Sequence, residues 1–366
     1  MRTFLAILTL ALIALGSPRS EAASRSSREL PRETHGLYLP VPLSSQRELP
    51  RMVDLALRSG VNTLVVDVKD ATGRVSLMEA AAVPLVTMYE KADLIDMQGL
   101  QVFRKENHGW LVARVTMFFD PCLANKRHDF AIKRSDGTLY DEGDAGACGR
   151  EAFTSPFLEE VWEYNIGIAK KAFEAGFDEI QLDYVRFPDQ PLRALVPPRE
   201  EGDKTSRIDA ITLGVARVRA ALPQEAVLSV DVFGRTVQES DPIIGQDVRL
   251  LAPYVDYLSP MLYPSLWTPD SFDIPRPVAA PYKTIFESLK ALDEWMRYTP
   301  SPPRVRPWFQ TGDWPELPYG RKETQAQIEA AVAWKVRDWM LWQDEGKYEP
   351  EAIRQDAGKG SSVGHQ

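Results

Sequence analysis

The chain has 366 residues, 44% of them hydrophobic and 26% charged, with Lys+Arg 43 against Asp+Glu 52 and a formal net charge of −9. That composition excludes wholesale disorder and supplies enough apolar material for a large core. The acidic balance leaves no electrostatic footprint for a phosphate backbone or an anionic lipid surface, so nucleic acid is not an expected partner.

At the N-terminus Arg2 precedes an apolar run from Phe4 to Leu15, and Ser20-Glu21-Ala22 offers small residues where a signal peptidase cuts. Residues 1–22 therefore read as a signal peptide, and the chain as one exported to the periplasm or the medium. The apolar run is about 12 residues, short of the roughly 20 that a spanning helix needs. No later segment is apolar enough to cross a membrane, so no span is expected after cleavage. The polar stretch 23–34 reads as a flexible linker, 35–345 as a single ordered domain, and 346–366 as a C-terminal helix with a disordered, Gly/Ser-rich tail.

From His35 onward, short β-branched or aromatic runs alternate with helical patterns. The strand candidates are 36–41, 62–69, 110–118, 178–184, 226–233, 255–263, 306–310 and 336–342. The amphipathic segments between them are 47–59, 89–107, 156–175, 204–222, 241–251, 282–298 and 323–333. Ser59-Gly60, Ala175-Gly176 and Leu222-Pro223 stop three of those helices just before the next strand. Eight strands with intervening helices is the count that closes a single (β/α)8 TIM barrel. The competing architecture, an open doubly wound sheet, lacks its Gly-rich phosphate turn after the first strand.

In such a barrel, chemistry sits at the C-terminal ends of the strands. Asp67, Asp183 and Asp231 each interrupt an apolar run near such an end, where a carboxylate would be costly without partners. Strands lie about 4.8 Å apart, so Asp183 and Asp231 on neighbouring strands fall in the range of roughly 5 to 9.5 Å used by paired glycosidase carboxyls. They are the candidate catalytic pair, with the acid and the nucleophile or base left unassigned. Asp67, Lys69, Arg114 and Arg186 are candidate substrate contacts or ion-pair partners. Tyr184, Tyr263, Trp314 and Trp342 offer flat rings for sugar faces, as do Phe187, Trp267 and Trp308. Cys122 and Cys148, the two cysteines, form either a disulfide or two separate thiols within a long loop, 120–154, that reads as a substrate-side lid. The four histidines, His35, His108, His128 and His365, have no zinc-type spacing with these thiols, so neither a metal nor another cofactor is expected.

Asn62 to Asp70 (NTLVVDVKD), Gly176 to Pro188 (GFDEIQLDYVRFP), Ser229 to Gly234, Ala252 to Asp256 and Ser259 to Ser265 (SPMLYPS) together resemble a bacterial family of largely uncharacterised TIM-barrel glycoside hydrolases. The resemblance runs from about His35 to Asp344; the cysteine-bearing loop departs from it. It implies a barrel fold and cleavage of glycosidic bonds. The chain is more distantly similar to chitinases: Met261-Leu262-Tyr263 matches their sixth-strand Met-x-Tyr. Aligning Asp178 and Asp183 with their acidic row puts Val185 where the catalytic Glu would stand. The acid must then lie elsewhere, with Asp183 and Asp231 the best pair. The expected partner is a polysaccharide or cell-envelope glycan. The alternatives are a glycan-binding barrel without turnover and an envelope scaffold.

Overall fold

The computed structural model describes residues 30–312, 314 and 317–354. The expected signal peptide, most of the linker and the tail beyond residue 354 lie outside them. Eight strands, β1 (His35–Leu39), β2 (Thr63–Lys69), β3 (Trp110–Thr116), β4 (Glu179–Asp183), β5 (Val227–Phe233), β6 (Tyr257–Met261), β7 (Trp308–Gln310) and β8 (Trp339–Trp342), pair in parallel in chain order. β8 returns to β1, with His35 beside Trp339, so the sheet closes into the (β/α)8 TIM barrel that the sequence led us to expect. Residues 304 and 305 extend the seventh strand's pairing with β6.

Strand alternation divides the side chains between two layers. Leu64 and Val66, Leu111 and Ala113, Ile180 and Leu182, and Leu228 and Val230 point outward into the core shared with the helices. Tyr38, Val65, Val112, Trp308 and Met340 point inward and fill the bore. The outer layer holds α1 (Leu49–Ser59), α2 (Met97–Glu106), α3 (Pro121–Lys126), α4 (Glu159–Ala175), α5 (Arg207–Ala221), α6 (Val248–Leu251), α7 (Pro281–Met296), α8 (Arg321–Ala333) and α9 (Pro350–Ile353). α4 ends as its sequence requires: Gly176, at φ 103°, donates its N–H to the carbonyls of Ala172 and Phe173.

Two helices are shorter than their patterns suggest. The expected helix 89–107 begins only at Met97, because the Asp96 carboxylate caps it by accepting the Gly99 N–H. Upstream, Thr87–Met88 pairs with Arg74–Val75 as strand. The expected helix 241–251 shrinks to Val248–Leu251: Asp241 accepts the N–H groups of Ile243 and Ile244 in a turn, and Asp247 caps what remains.

The loop after β3 is folded, not loose. It carries α3, an antiparallel pair Asp141–Asp144 with Arg150–Ala152, and the disulfide Cys122–Cys148. Its Lys133–Arg134 strand also pairs with Leu195–Val196 in the loop after β4.

Candidate active site

The inward residues near the C-terminal ends of β2 to β5 are charged. Register pairs Asp67 with Arg114 on β3, and Leu182 with Val230, so Asp183 and Asp231 are the next neighbours toward the mouth. The Arg114 guanidinium donates to Asp67 Oδ1 at 2.5 Å and, through Nε and Nη2, to Asp183 Oδ2 at 2.9 and 2.5 Å. The Tyr38 hydroxyl donates to the other Asp67 oxygen at 2.6 Å, and the Trp308 indole N–H to Asp231 Oδ1 at 2.8 Å.

Three carboxyl groups thus crowd one cation in a nearly dry space, where ionising all three is unfavourable. Burial, reinforced by the neighbouring Asp183 charge, pushes the Asp231 carboxyl well above the usual carboxylate range. Burial likewise pushes Asp67 up to about 6, against the pull of Arg114 and of the Tyr38 hydroxyl. Asp183 receives the Tyr184 N–H on Oδ1, and Tyr184 itself sits at φ 50°, a left-handed conformation costly for an aromatic residue. That kink ends β4 and turns the Tyr184 ring toward Phe119, which it stacks on at 5.0 Å.

Above this cluster opens a cavity of about 260 Å³. Its walls include Asp183, Arg114, Tyr184, Arg186, Tyr263, Trp314 and Trp342. The structure therefore brings seven of the ten candidate substrate or catalytic residues to one cavity. Asp67 and Asp231 lie behind the wall; Asp231 is only 1% exposed. Lys69 is the correction. A bulge between Asp67 and Lys69 shifts the register, so Lys69 pairs with outward-facing Val115 and leaves the bore. It is fully buried against Asp120 at 2.6 Å and Asn165 at 2.8 Å and has no access to a substrate.

Two candidate rings also lie elsewhere: Phe187 is buried against Phe157, and Trp267 packs on Phe272. The expected lid does not roof the cavity. No residue of 120–154 lines it, and Phe153 packs behind Tyr184 and Arg186. Tyr38 was overlooked, although it holds Asp67 and stacks on Trp342 at 3.9 Å. Its position in β1, with the same inward parity as Asp67 in β2, was the available signal. Trp308, Phe233, Met261 and Leu266 complete the wall. Among the described residues no group of three or more His, Cys, Asp or Glu is arranged to hold a metal ion, and no helix is long and apolar enough to cross a membrane.

The profile of a family described as "Putative glycosyl hydrolase domain" matches residues 36–348. No curated protein matches the chain. Among solved structures, a hypothetical protein from Ruminiclostridium thermocellum is 31% identical, covering 54% of this chain and 97% of that one at a TM-score of 0.45. The PgaB (BpsB) glycoside hydrolase domain from Bordetella bronchiseptica is 13% identical, covering 86% and 95% at 0.62. The catalytic domain of β-amylase from Paenibacillus polymyxa is 11% identical, covering 88% and 95% at 0.53. At these identities the last two show a shared barrel fold.

Proposed function

The chain belongs to this glycosyl hydrolase domain family, and we propose that it hydrolyses a glycosidic bond in a polysaccharide or cell-envelope glycan after export. The observation that carries this reading is the pairing of Asp183 and Asp231, with Asp183 facing the cavity in an ion pair and Asp231 biased toward its protonated form. Glycosidases need such a division, one carboxyl ionised and one kept protonated by its surroundings. Asp183 is the nucleophile or base and Asp231 the store of the proton that the leaving oxygen takes. Adjacent strands favour the shorter carboxyl separation, about 5–5.5 Å, used when a covalent glycosyl-enzyme forms. Tyr263, Trp314 and Trp342 supply rings on which a sugar can stack.

A second reading has its own observation. Asp231 is nearly inaccessible, and Val185 stands where a chitinase-like acid would be, which favours a barrel that binds glycan without cleaving it. Release of reducing ends from bacterial, plant and algal polysaccharides, measured for the purified chain and for Asp183→Asn in parallel, separates the two. Release by the parent and none by the variant supports hydrolysis. Retained glycan binding with no release by the parent supports the binding barrel.

A further inference from the structure

The cavity wall contains two guanidinium groups, and among the described residues only one of them has an anionic partner. Arg114 is held by Asp67 and Asp183. Arg186 donates one hydrogen bond, to the Phe187 carbonyl at 3.1 Å, and among the described residues no carboxylate lies within ion-pairing distance of it. The acidic groups around it are engaged elsewhere. Asp189 is forked by Arg235 at 2.7 and 2.8 Å, Glu142 accepts the Tyr140 hydroxyl at 2.6 Å, and Asp183 is taken by Arg114.

The Arg186 guanidinium is instead caged by rings, 4.6 Å from the centroid of Phe233, 4.9 Å from Tyr184 and 5.3 Å from Phe153. Burial draws its pKa downward, the mark of a cation whose lost hydration is not offset by an anion, although a guanidinium stays charged. A rigid fork of N–H donors, desolvated on its faces and left with donors to spare at the edge of a cavity, matches a planar or tetrahedral oxyanion.

We propose that Arg186 binds an anionic substituent, a carboxylate or a sulfate, on the sugar that occupies the cavity, which makes the substrate an acidic glycan. The inference rests on reading the barrel as one that acts on glycans, but not on turnover. The chain's net charge of −9 gives no long-range steering of a polyanion toward the mouth. The contact therefore acts on dissociation and KM more than on association.

The test is binding, read by tryptophan emission because Trp308, Trp314 and Trp342 line the cavity. Glucuronate, galacturonate and galactose 6-sulfate are titrated against the methyl esters of the two uronates and galactose. The charged probes are expected to bind roughly 10- to 100-fold more tightly, the range for a charge-assisted hydrogen bond. Arg186→Gln should erase that preference, and Arg186→Lys, which keeps the charge but not the fork, should retain part of it. If Arg186→Gln fails to fold, the Lys variant and the acid-to-ester ratio of the parent carry the test. Preference for uronates alone or for the sulfate alone supports the proposal and identifies the group. Equal binding of acid and ester, a preference that survives Arg186→Gln, or no binding of any charged probe at millimolar concentration overturns it. A barrel that binds without cleaving passes this test and fails the reducing-end assay, so the two readings fail separately.

Discussion

Two clusters of buried charge occupy the bore of this barrel, one at each end, and they differ in stoichiometry. At the N-terminal end Glu179 and Arg306 form a fully buried one-to-one pair, joined by the Trp110 indole N–H on Glu179 and the Tyr257 ring beside Arg306. At the mouth one guanidinium serves Asp67 and Asp183, with Asp231 adjacent. The first cluster is neutral and closed. The second has more carboxyl groups than cations can balance, so a proton stays on one of them, and it opens onto a cavity. Buried charge is therefore common to both ends; what sets the proposed site apart is unequal charge beside an accessible surface.

Asp183→Asn should give the largest effect, a fall in turnover of at least roughly 10³-fold with glycan binding retained, measured by reducing-end release and by titration. Glu179→Gln should act on stability, because it leaves Arg306 buried without its anion at a cost of about 3–5 kcal/mol. Denaturant unfolding reads that cost, and turnover per folded molecule should fall far less than for Asp183→Asn. Replacing both partners, Glu179→Leu with Arg306→Met, should recover much of the lost stability, as paired apolar replacements do. Asp231→Asn tests the retained proton. A carboxyl whose folded pKa is raised contributes stability at low pH and loses it as pH rises, so the variant's advantage in melting temperature should grow from about pH 4 upward. If Asp231 is the acid, the same variant loses the alkaline limb of the pH–rate profile along with most of its activity. Tyr38→Phe should be mildest. It removes one donor to the Asp67 carboxylate, costs about 1.5–3 kcal/mol in denaturant unfolding, and leaves the ring on Trp342.

Much of the barrel was legible because parallel strands covered on both faces must be apolar, so eight runs stand out, and the Asp in TLVVDVK, EIQLD and VLSVDVF stands out further. Asp183, Asp231 and Asp67 were visible for that reason. Lys69 was misplaced because a bulge changes parity without changing composition; two residues after Asp67 the chain should again face inward, and it does not. The role of Tyr38 was hidden because a Tyr in an apolar strand looks like core until its hydroxyl finds a carboxylate. The lid was over-read, since loop length alone says nothing about which face the loop covers. Helix lengths failed at 241–251, where Asp side chains satisfied backbone N–H groups that the pattern had assigned to a helix.

The pair at the closed end also bears on geometry. Glu179 opens β4, the strand that ends in Asp183, and Arg306 lies two residues before Trp308, which holds Asp231. Their ion pair crosses the bore and ties the feet of β4 and β7 together, while Asp183 sits at the head of β4, about 13 Å away along that strand, and Asp231, on β5, is held by Trp308 of β7. It acts as a crossbar: any splay of the two strands at the foot would be carried upward into the alignment of Asp183 with Asp231. An apolar substitute for the crossbar can restore the free energy of folding and still leave the heads free to drift, so thermal stability and catalytic alignment need not recover together.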